Sequence, residues 1–293
     1  MRIAAFSDSQ GFGVGVISGD DIVVAERGAS ADNAIERLVV GGMEAREAWQ
    51  RNAQDASSER VAISAVRLEA PIPNRRQTLI CIGKNYHAHA KEFHASGFDS
   101  TGKESSPSNP VIFSKAGSSV IGHKAPIQSG LDPTHSVDYE GELALVIGQK
   151  AFKVPAERAY DVIFGYTICN DVTSRELQKR HNQWLIGKSL DTFGPMGPWI
   201  VTPDELGDVT AQELVTRVNG EIRQQAPIAD LIFDIPTLIE TITATMTLHP
   251  GDMIVTGTPA GVGIGFTPPK YLAPGDRVEV SISGIGVLEN PVE

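Results

Sequence analysis

Residues 136–148 read SVDYEGELALVIG, and from Leu143 onward the run carries no polar side chain. A short, continuous apolar stretch of this kind is a strand buried on both faces. Strand side chains alternate between faces, so Asp138, Glu140 and Glu142 project to one side. Gathering three carboxylates at the mouth of a buried strand costs free energy through desolvation and mutual repulsion. Something positive is needed there, either a divalent cation or arginines. A solvated strand end is the plainer reading of the same pattern.

A second apolar run, DVIFGYTICN, stops at Asn170-Asp171 and is followed by the polar helical stretch VTSRELQKRH. Asp171 is read in two ways, as the N-cap of that helix or as a site carboxylate at a strand's end. Glu140, Glu142 and Asp171 together form a set of oxygen donors suited to Mg²⁺ or Mn²⁺. Zinc fits less well, because no thiolate or histidine set of suitable spacing accompanies them. In CIGKNYHAHAKEF, His89 and Glu92 lie three apart on one helical face and can hydrogen-bond. A carboxylate that orients an imidazole makes a general base, worth roughly 10²–10⁴-fold in rate. The alternative is a surface pair. The His87-x-His89 spacing suits a metal on a strand, but the surrounding sequence is helical and the two side chains diverge.

Cationic and amide residues stand nearby in sequence. Lys115 ends VIFSK, Arg175 and Gln178 lie three apart, and Lys188 sits in the turn-rich LIGKSLDTFGPMGP. Each alone reads as a solvated surface residue. Beside an acidic metal cluster they read as a clamp for carboxylate or keto groups. The string GVGIG at 261–265 is followed by the proline-broken TPPKYLAPGD, so it fails the helix test of a dinucleotide loop. The Thr-Gly-Thr-Pro turn before it either holds an anionic group or merely turns the chain.

The chain has 293 residues, 25 Lys+Arg against 36 Asp+Glu, and a formal net charge of −11. That balance argues against nucleic acid as a partner. The N-terminal 70 residues alternate short β-rich runs with a helical stretch broken at Gly41–Gly42, and the prolines after them mark a boundary. Residues 1–70 are thus expected as a small N-terminal α/β domain and 71–293 as a β-rich α+β catalytic domain. Pro-Gly-Asp at 250–252 and 274–276 predicts two tight turns, each feeding a strand. Cys81 and Cys169 lie in apolar runs and read as buried thiols in a reducing cytosol. The start of the chain does not read as a signal peptide, and no run approaches the ~18 apolar residues of a membrane helix. A cytoplasmic protein without a membrane partner is the expectation. The low aromatic content, 6%, is taken to fit a small aliphatic substrate.

CIGKNYHAHAKE, PVIFSKAGSSVIG, DYEGELALVIG, FGYTICNDVTSRELQ, GKSLDTFGPMGPWIV, VNGEIRQ and LHPGDMIVTGTPAGVG occur in this order over about residues 70–291. Together they resemble the fumarylacetoacetate hydrolase family, in particular its acylpyruvase and 2-hydroxyhepta-2,4-diene-1,7-dioate isomerase-like bacterial members. The resemblance implies a mixed β-roll, a homodimer, and Glu140, Glu142 and Asp171 as ligands of Mg²⁺ or Mn²⁺. It implies that His89 and Glu92 activate water, with Lys188 as a third catalytic group. Lys84, Lys115, Arg175, Gln178 and Thr258 match substrate-binding positions, Lys84 standing where relatives often have Arg. Residues 93–109 are longer than in the shortest members and are expected to form a lid that orders on binding. The implied activity is metal-dependent hydrolysis of an acylpyruvate-like 1,3-diketo acid, releasing pyruvate. Oxaloacetate decarboxylation, 2-hydroxymuconate-type isomerisation, or an idle ligand-binding relative are the alternatives. The intact carboxylate set and the His–Glu pair speak against the idle reading.

Overall fold

The computed structural model describes residues 1–29, 33–72, 78–98 and 106–293. Its first part runs β1 (Arg2–Asp8), β2 (Gly11–Ser18), β3 (Asp21–Arg27), α1 (Ala34–Val40), α2 (Gly42–Gln54), β4 (Arg60–Ala62) and β5 (Arg67–Leu68). There follow β6 (Leu79–Gly83), α3 (His87–Ala95), β7 (Val111–Lys115), β8 (Val120–Ile121), β9 (Val137–Asp138), β10 (Gly141–Ile147) and β11 (Ile163–Asn170). Next come β12 (Thr173–Ser174), α4 (Arg175–Arg180), α5 (Leu185–Lys188), β13 (Gly194–Val201) and α6 (Pro203–Leu206). The chain closes with β14 (Glu213–Val218), β15 (Glu221–Pro227), α7 (Ile235–Thr243), β16 (Met253–Val255), β17 (Arg277–Ile282) and β18 (Gly286–Pro291). Strands outnumber helices, and the class is β-rich α+β.

The described residues form a twelve-stranded sheet whose main path is β4-β3-β2-β1-β13-β11-β10-β16-β6-β7. A four-stranded sheet, β15-β14-β17-β18, lies beside it, and β9 pairs with β12. Strand β10 is buried at every residue, and its period of two divides its side chains between two cores. Leu143, Leu145 and Ile147 enter the core formed with the four-stranded sheet and α7. Ala144 and Val146 enter the opposite core, with Cys81, Cys169 and Val255. Both cysteines are free and fully buried, as the apolar context predicted.

The N-terminal residues are stitched into the same sheet. β1 runs antiparallel to β13, with Ile3 opposite Ile200. Ile3, Ala5 and Val14 share the core of Ala144 and Val146, and so do Ala70 and Ile72 at the expected boundary. The helical stretch does break at Gly42, which takes φ +59, a conformation that costs glycine little. Both Pro-Gly-Asp turns precede strands, β16 and β17. In each, the aspartate accepts a backbone N–H three residues back, from His249 at 2.7 Å and from Ala273 at 2.8 Å. No helix among the described residues is long and apolar enough to cross a membrane.

Because Leu143 is fully buried within β10, truncating it leaves a void that the sheet cannot close. Leu143→Ala is expected to lower stability by roughly 2–5 kcal/mol, read as a shift in urea midpoint at unchanged slope.

Candidate metal centre and active site

Register brings four strand ends to one point. β10 and β11 are antiparallel with Gly141 opposite Asn170, so the start of one lies against the end of the other. β16 is antiparallel to β10 and parallel to β6. The ends of β6, β11 and β16 therefore gather around the start of β10. Residues just beyond those ends supply the site: Lys84, Asp171, Gly257 and Thr258.

Glu140, Glu142 and Asp171 are all buried, with one oxygen of each lying within 4.8 Å of the others. Backbone bonds lock the pair of segments. The Asp171 N–H donates to the Glu140 carbonyl at 2.8 Å, and the Glu140 N–H donates to Asn170 Oδ1 at 2.9 Å. Lys188 Nζ lies 2.7 Å from Glu140 Oε2 and 2.7 Å from Asp171 Oδ2. Arg175 Nη1 lies 2.6 Å from Glu140 Oε1, and Arg175 Nε donates to Asp138 Oδ2 at 2.8 Å. Glu142 pairs with no cation among the described residues. Its Oε2 accepts the Gly257 N–H at 2.5 Å. Asp171 Oδ1 lies 3.0 Å from Lys115 Nζ but at an angle that makes no hydrogen bond.

These environments split the carboxylates. Burial opposes ionisation of Glu140, but Lys188 and Arg175 outweigh it and hold its pKa at about 2. Glu142 goes the other way, pushed well above the ordinary range by burial and by Asp171 and Glu140. Burial lowers the Lys188 pKa, yet Asp171 and Glu140 carry it above its ordinary value. The sign for stability follows from linkage. The Glu140 contribution is present above the ordinary carboxylate range and is lost as pH falls toward 2. Glu142 favours the folded state only while protonated, and that contribution is lost as pH rises through its raised pKa.

The donor set fits a hard divalent cation. Three carboxylates offer only oxygen, with no thiolate or imidazole among them, which suits Mg²⁺ or Mn²⁺. Asp171 Oδ1 is buried without a hydrogen bond, and Glu142 has no ion-pair partner among the described residues, so a cation would complete both.

On α3, His89 Nδ1 lies 3.3 Å from Glu92 Oε2. Glu92 is fixed in turn by the Gly261 N–H, at 3.0 and 3.2 Å from its two oxygens. His89 faces a small cavity of about 10 Å³, room for a water-sized group. Lys84, Glu140, Glu142, Arg175, Gln178, Lys188 and Thr258 also line it. The structure thus brings together most of the residues singled out from sequence. Lys84, φ +56 and buried, turns the chain from β6 toward α3.

Some expectations need correction. Lys115 does not line the cavity. It is fully buried behind Asp171, donating to the Val172 carbonyl at 3.0 Å and to the Lys188 carbonyl, so it braces the site from outside. Thr258 does line the cavity; its hydroxyl donates to the Gly141 carbonyl at 2.9 Å and accepts from Gln224 Nε2 at 2.7 Å. Asp171 is not a helix cap, since α4 begins after Ser174. His87 is exposed at the start of α3 and outside the site, in keeping with the diverging side chains expected there. Of the expected lid 93–109, Phe93–Ala95 belong to α3, and residues 99–105 lie outside the described residues.

Three aromatic residues were missed. Phe93, Phe113 and Trp184 line the cavity. Phe93 stacks with His89 at 6.0 Å, and Trp184 meets Phe93 and Phe113 edge-on at 5.9 and 5.0 Å. A Cβ at Gly83 would lie 2.5 Å from the Trp184 ring, so glycine there makes room for it. The spacing carries the signal. Phe93 is one helical turn from His89, Trp184 one turn from Lys188, and Phe113 one strand repeat from Lys115.

A buried trio of hard oxygen donors, an adjoining His–Glu pair and buried cations are thus gathered at one point of a β-rich fold. Residues 78–293 match the family described as fumarylacetoacetate (FAA) hydrolase C-terminal, and the chain belongs to that family. Over 246 residues, 83% of this chain and 79% of the relative, it is 47% identical to the oxaloacetate tautomerase YisK of Bacillus subtilis (strain 168). It is similar to the structure of a fumarylacetoacetate hydrolase from the psychrophilic Exiguobacterium antarcticum, with TM-score 0.83, 40% identity and coverage of 100% of this chain and 99% of that one. A maleylpyruvate hydrolase from Sphingobium sp. SYK-6, solved in complex with manganese(II) ion and pyruvate, matches with TM-score 0.80 and 32% identity over 100% and 98% of the two chains.

Replacing Glu142 by its neutral isostere removes the repulsion and a metal donor together. Glu142→Gln is expected to melt higher than wild type in EDTA, by about 2–4 °C for each kcal/mol of repulsion relieved. Its Mn²⁺ affinity should fall by more than the roughly 10–100-fold that changes around a ligand cost. Thermal melts and Mn²⁺ titrations read the two effects separately.

Proposed function

We propose that this protein is a divalent-metal-dependent enzyme that interconverts the keto and enol forms of a compact 2-oxo dicarboxylate of the oxaloacetate type. The observation that carries the reading is His89, backed by Glu92, on the wall of the cavity that Glu140, Glu142 and Lys188 also line. The tautomerase relative supports setting this reading ahead of the hydrolysis expected from sequence.

A bound Mg²⁺ or Mn²⁺, held by Glu140, Glu142 and Asp171, would supply Lewis-acid polarisation of the keto oxygen. The chain's own residues do the rest. Glu92 accepts from Nδ1 of His89 and leaves Nε2 as the basic nitrogen. Nε2 takes a proton from the carbon beside the keto group. The C–H electron pair becomes the new C=C bond, the C=O π pair moves onto oxygen, and the His89 imidazolium gives the same proton to that oxygen, so the proton count balances and the base is regenerated. Lys188 offsets the negative charge that develops on the oxygen, and Arg175 pairs with the adjoining carboxylate. Phe93, Phe113 and Trp184 exclude water from this transfer.

Hydrolysis of an acylpyruvate is the second reading, favoured by the same dyad, which can activate water as readily as it removes a carbon-bound proton. The maleylpyruvate hydrolase neighbour supports it. A panel of oxaloacetate, acetylpyruvate, fumarylpyruvate and maleylpyruvate, with Mg²⁺ or Mn²⁺ and EDTA controls, separates the outcomes. Metal-dependent relaxation of oxaloacetate enol absorbance without pyruvate release is expected. Pyruvate with an organic acid would move the assignment to hydrolase, and pyruvate with CO₂ to decarboxylase. His89→Ala should lower kcat by about 10²–10⁴-fold with Mn²⁺ affinity unchanged. An equal loss of metal binding would refute this division of roles.

A further inference from the structure

The glycine-rich segment 261–265, which failed the test of a dinucleotide loop, touches both halves of the site. Its Gly261 N–H holds Glu92. Two residues on, the Gly263 N–H donates to Asp138 Oδ1 at 2.6 Å and the Ile264 N–H to Asp138 Oδ2 at 3.0 Å. Asp138 is fully buried and takes two further bonds, from the Tyr139 N–H at 2.9 Å and from Arg175 Nε at 2.8 Å. The segment has no room for side chains at these contacts. A Cβ at Gly263 would sit 2.7 Å from Asp138 Oδ1, and one at Gly265 would sit 2.0 Å from Glu92 Oε1.

Arg175 is where this matters. Its Nε goes to Asp138, and its Nη1 goes to Glu140 at 2.6 Å and to Gln178 at 3.2 Å. Its Nη2 is buried and has no hydrogen-bond partner among the described residues, on a side chain that lines the cavity. Asp138 and Glu140 each hold one edge of the guanidinium, and the remaining edge is kept available.

We propose that Asp138, anchored by residues 261–265, is the positioning residue that keeps Arg175 Nη2 free for a substrate carboxylate, while the same segment positions Glu92 behind His89. The proposal rests on the reading of the site as one for a 2-oxo dicarboxylate. One short segment then governs affinity through Asp138 and turnover through Glu92.

Asparagine at 138 cannot reproduce the arrangement. Both carboxylate oxygens accept two N–H groups each, so an amide nitrogen on either side would face donors. Arg175 would then turn fully to Glu140 and lose the free edge. In the Mn²⁺-loaded protein, Asp138→Asn should weaken oxalate binding by roughly 10- to 100-fold, and raise KM by a similar factor with kcat little changed. Gly265→Ala, which displaces Glu92, should do the reverse, lowering kcat by about 10²-fold with oxalate affinity retained. Should Asp138→Asn fail to fold, Asp138→Glu keeps the charge, moves the carboxylate, and should weaken oxalate in the same direction. Wild-type oxalate affinity in a folded Asp138 variant overturns the proposal. So does a parallel loss of kcat, affinity and melting temperature in both variants, the mark of a merely structural strap. Oxalate binding by calorimetry requires no turnover. A wild type inert toward every 2-oxo acid would therefore overturn the proposed reaction, and the affinity of the Asp138 variants would still decide this role.

Discussion

Three carboxylates packed within 4.8 Å of one another in a water-poor interior are the constraint around which this molecule is arranged. Left alone they would repel, take up protons or unfold the strand ends that carry them. The fold answers with buried cations from three different elements: Lys115 at the end of β7, Arg175 at the start of α4 and Lys188 at the end of α5. Each must arrive at the right depth, which explains why short helices of six and four residues, with little helical stability of their own, are held so firmly after β11. The register of β10 against β11 then sets the distance between Glu140 and Asp171. A slip of one residue would turn Glu142 toward the opposite core, where Leu143 now packs.

Much of this is legible in the sequence because it follows from local periodicity. The apolar run after Glu142, the helix break at Gly42 and the two Pro-Gly-Asp turns each depend on residues adjacent in the chain. The carboxylates could be grouped because alternation along one strand puts Glu140 and Glu142 together, and Asp171 closes the neighbouring strand. The short bridging strands β8, β9 and β12, each of two residues, have no periodicity to read. They exist because tertiary packing brings them together.

Lys115 and Thr258 are placed near the substrate by the resemblance, and the structure adds the direction in which each side chain points. Lys115 points its ammonium behind Asp171, and the Thr258 hydroxyl turns to Gly141. The aromatic wall was hidden because composition averages over the whole chain, whereas Phe93, Phe113 and Trp184 are concentrated at one cavity. The role of GVGIG was hidden for another reason. Its function resides in backbone N–H groups and in the absence of side chains, and neither has a sequence signature beyond glycine itself.

The bridge from Lys188 to Glu140 and Asp171 has a consequence for how the protein matures. Many small metal-dependent domains cannot fold until their ion arrives, because nothing else neutralises the ligands. Here the chain supplies its own counter-ions for two of the three carboxylates. Folding and metal acquisition are therefore separate events, and the order in which a cell performs them is left open by the chemistry. A newly made chain can complete its sheet with these two carboxylates already neutralised from within, ahead of any cation that would join them.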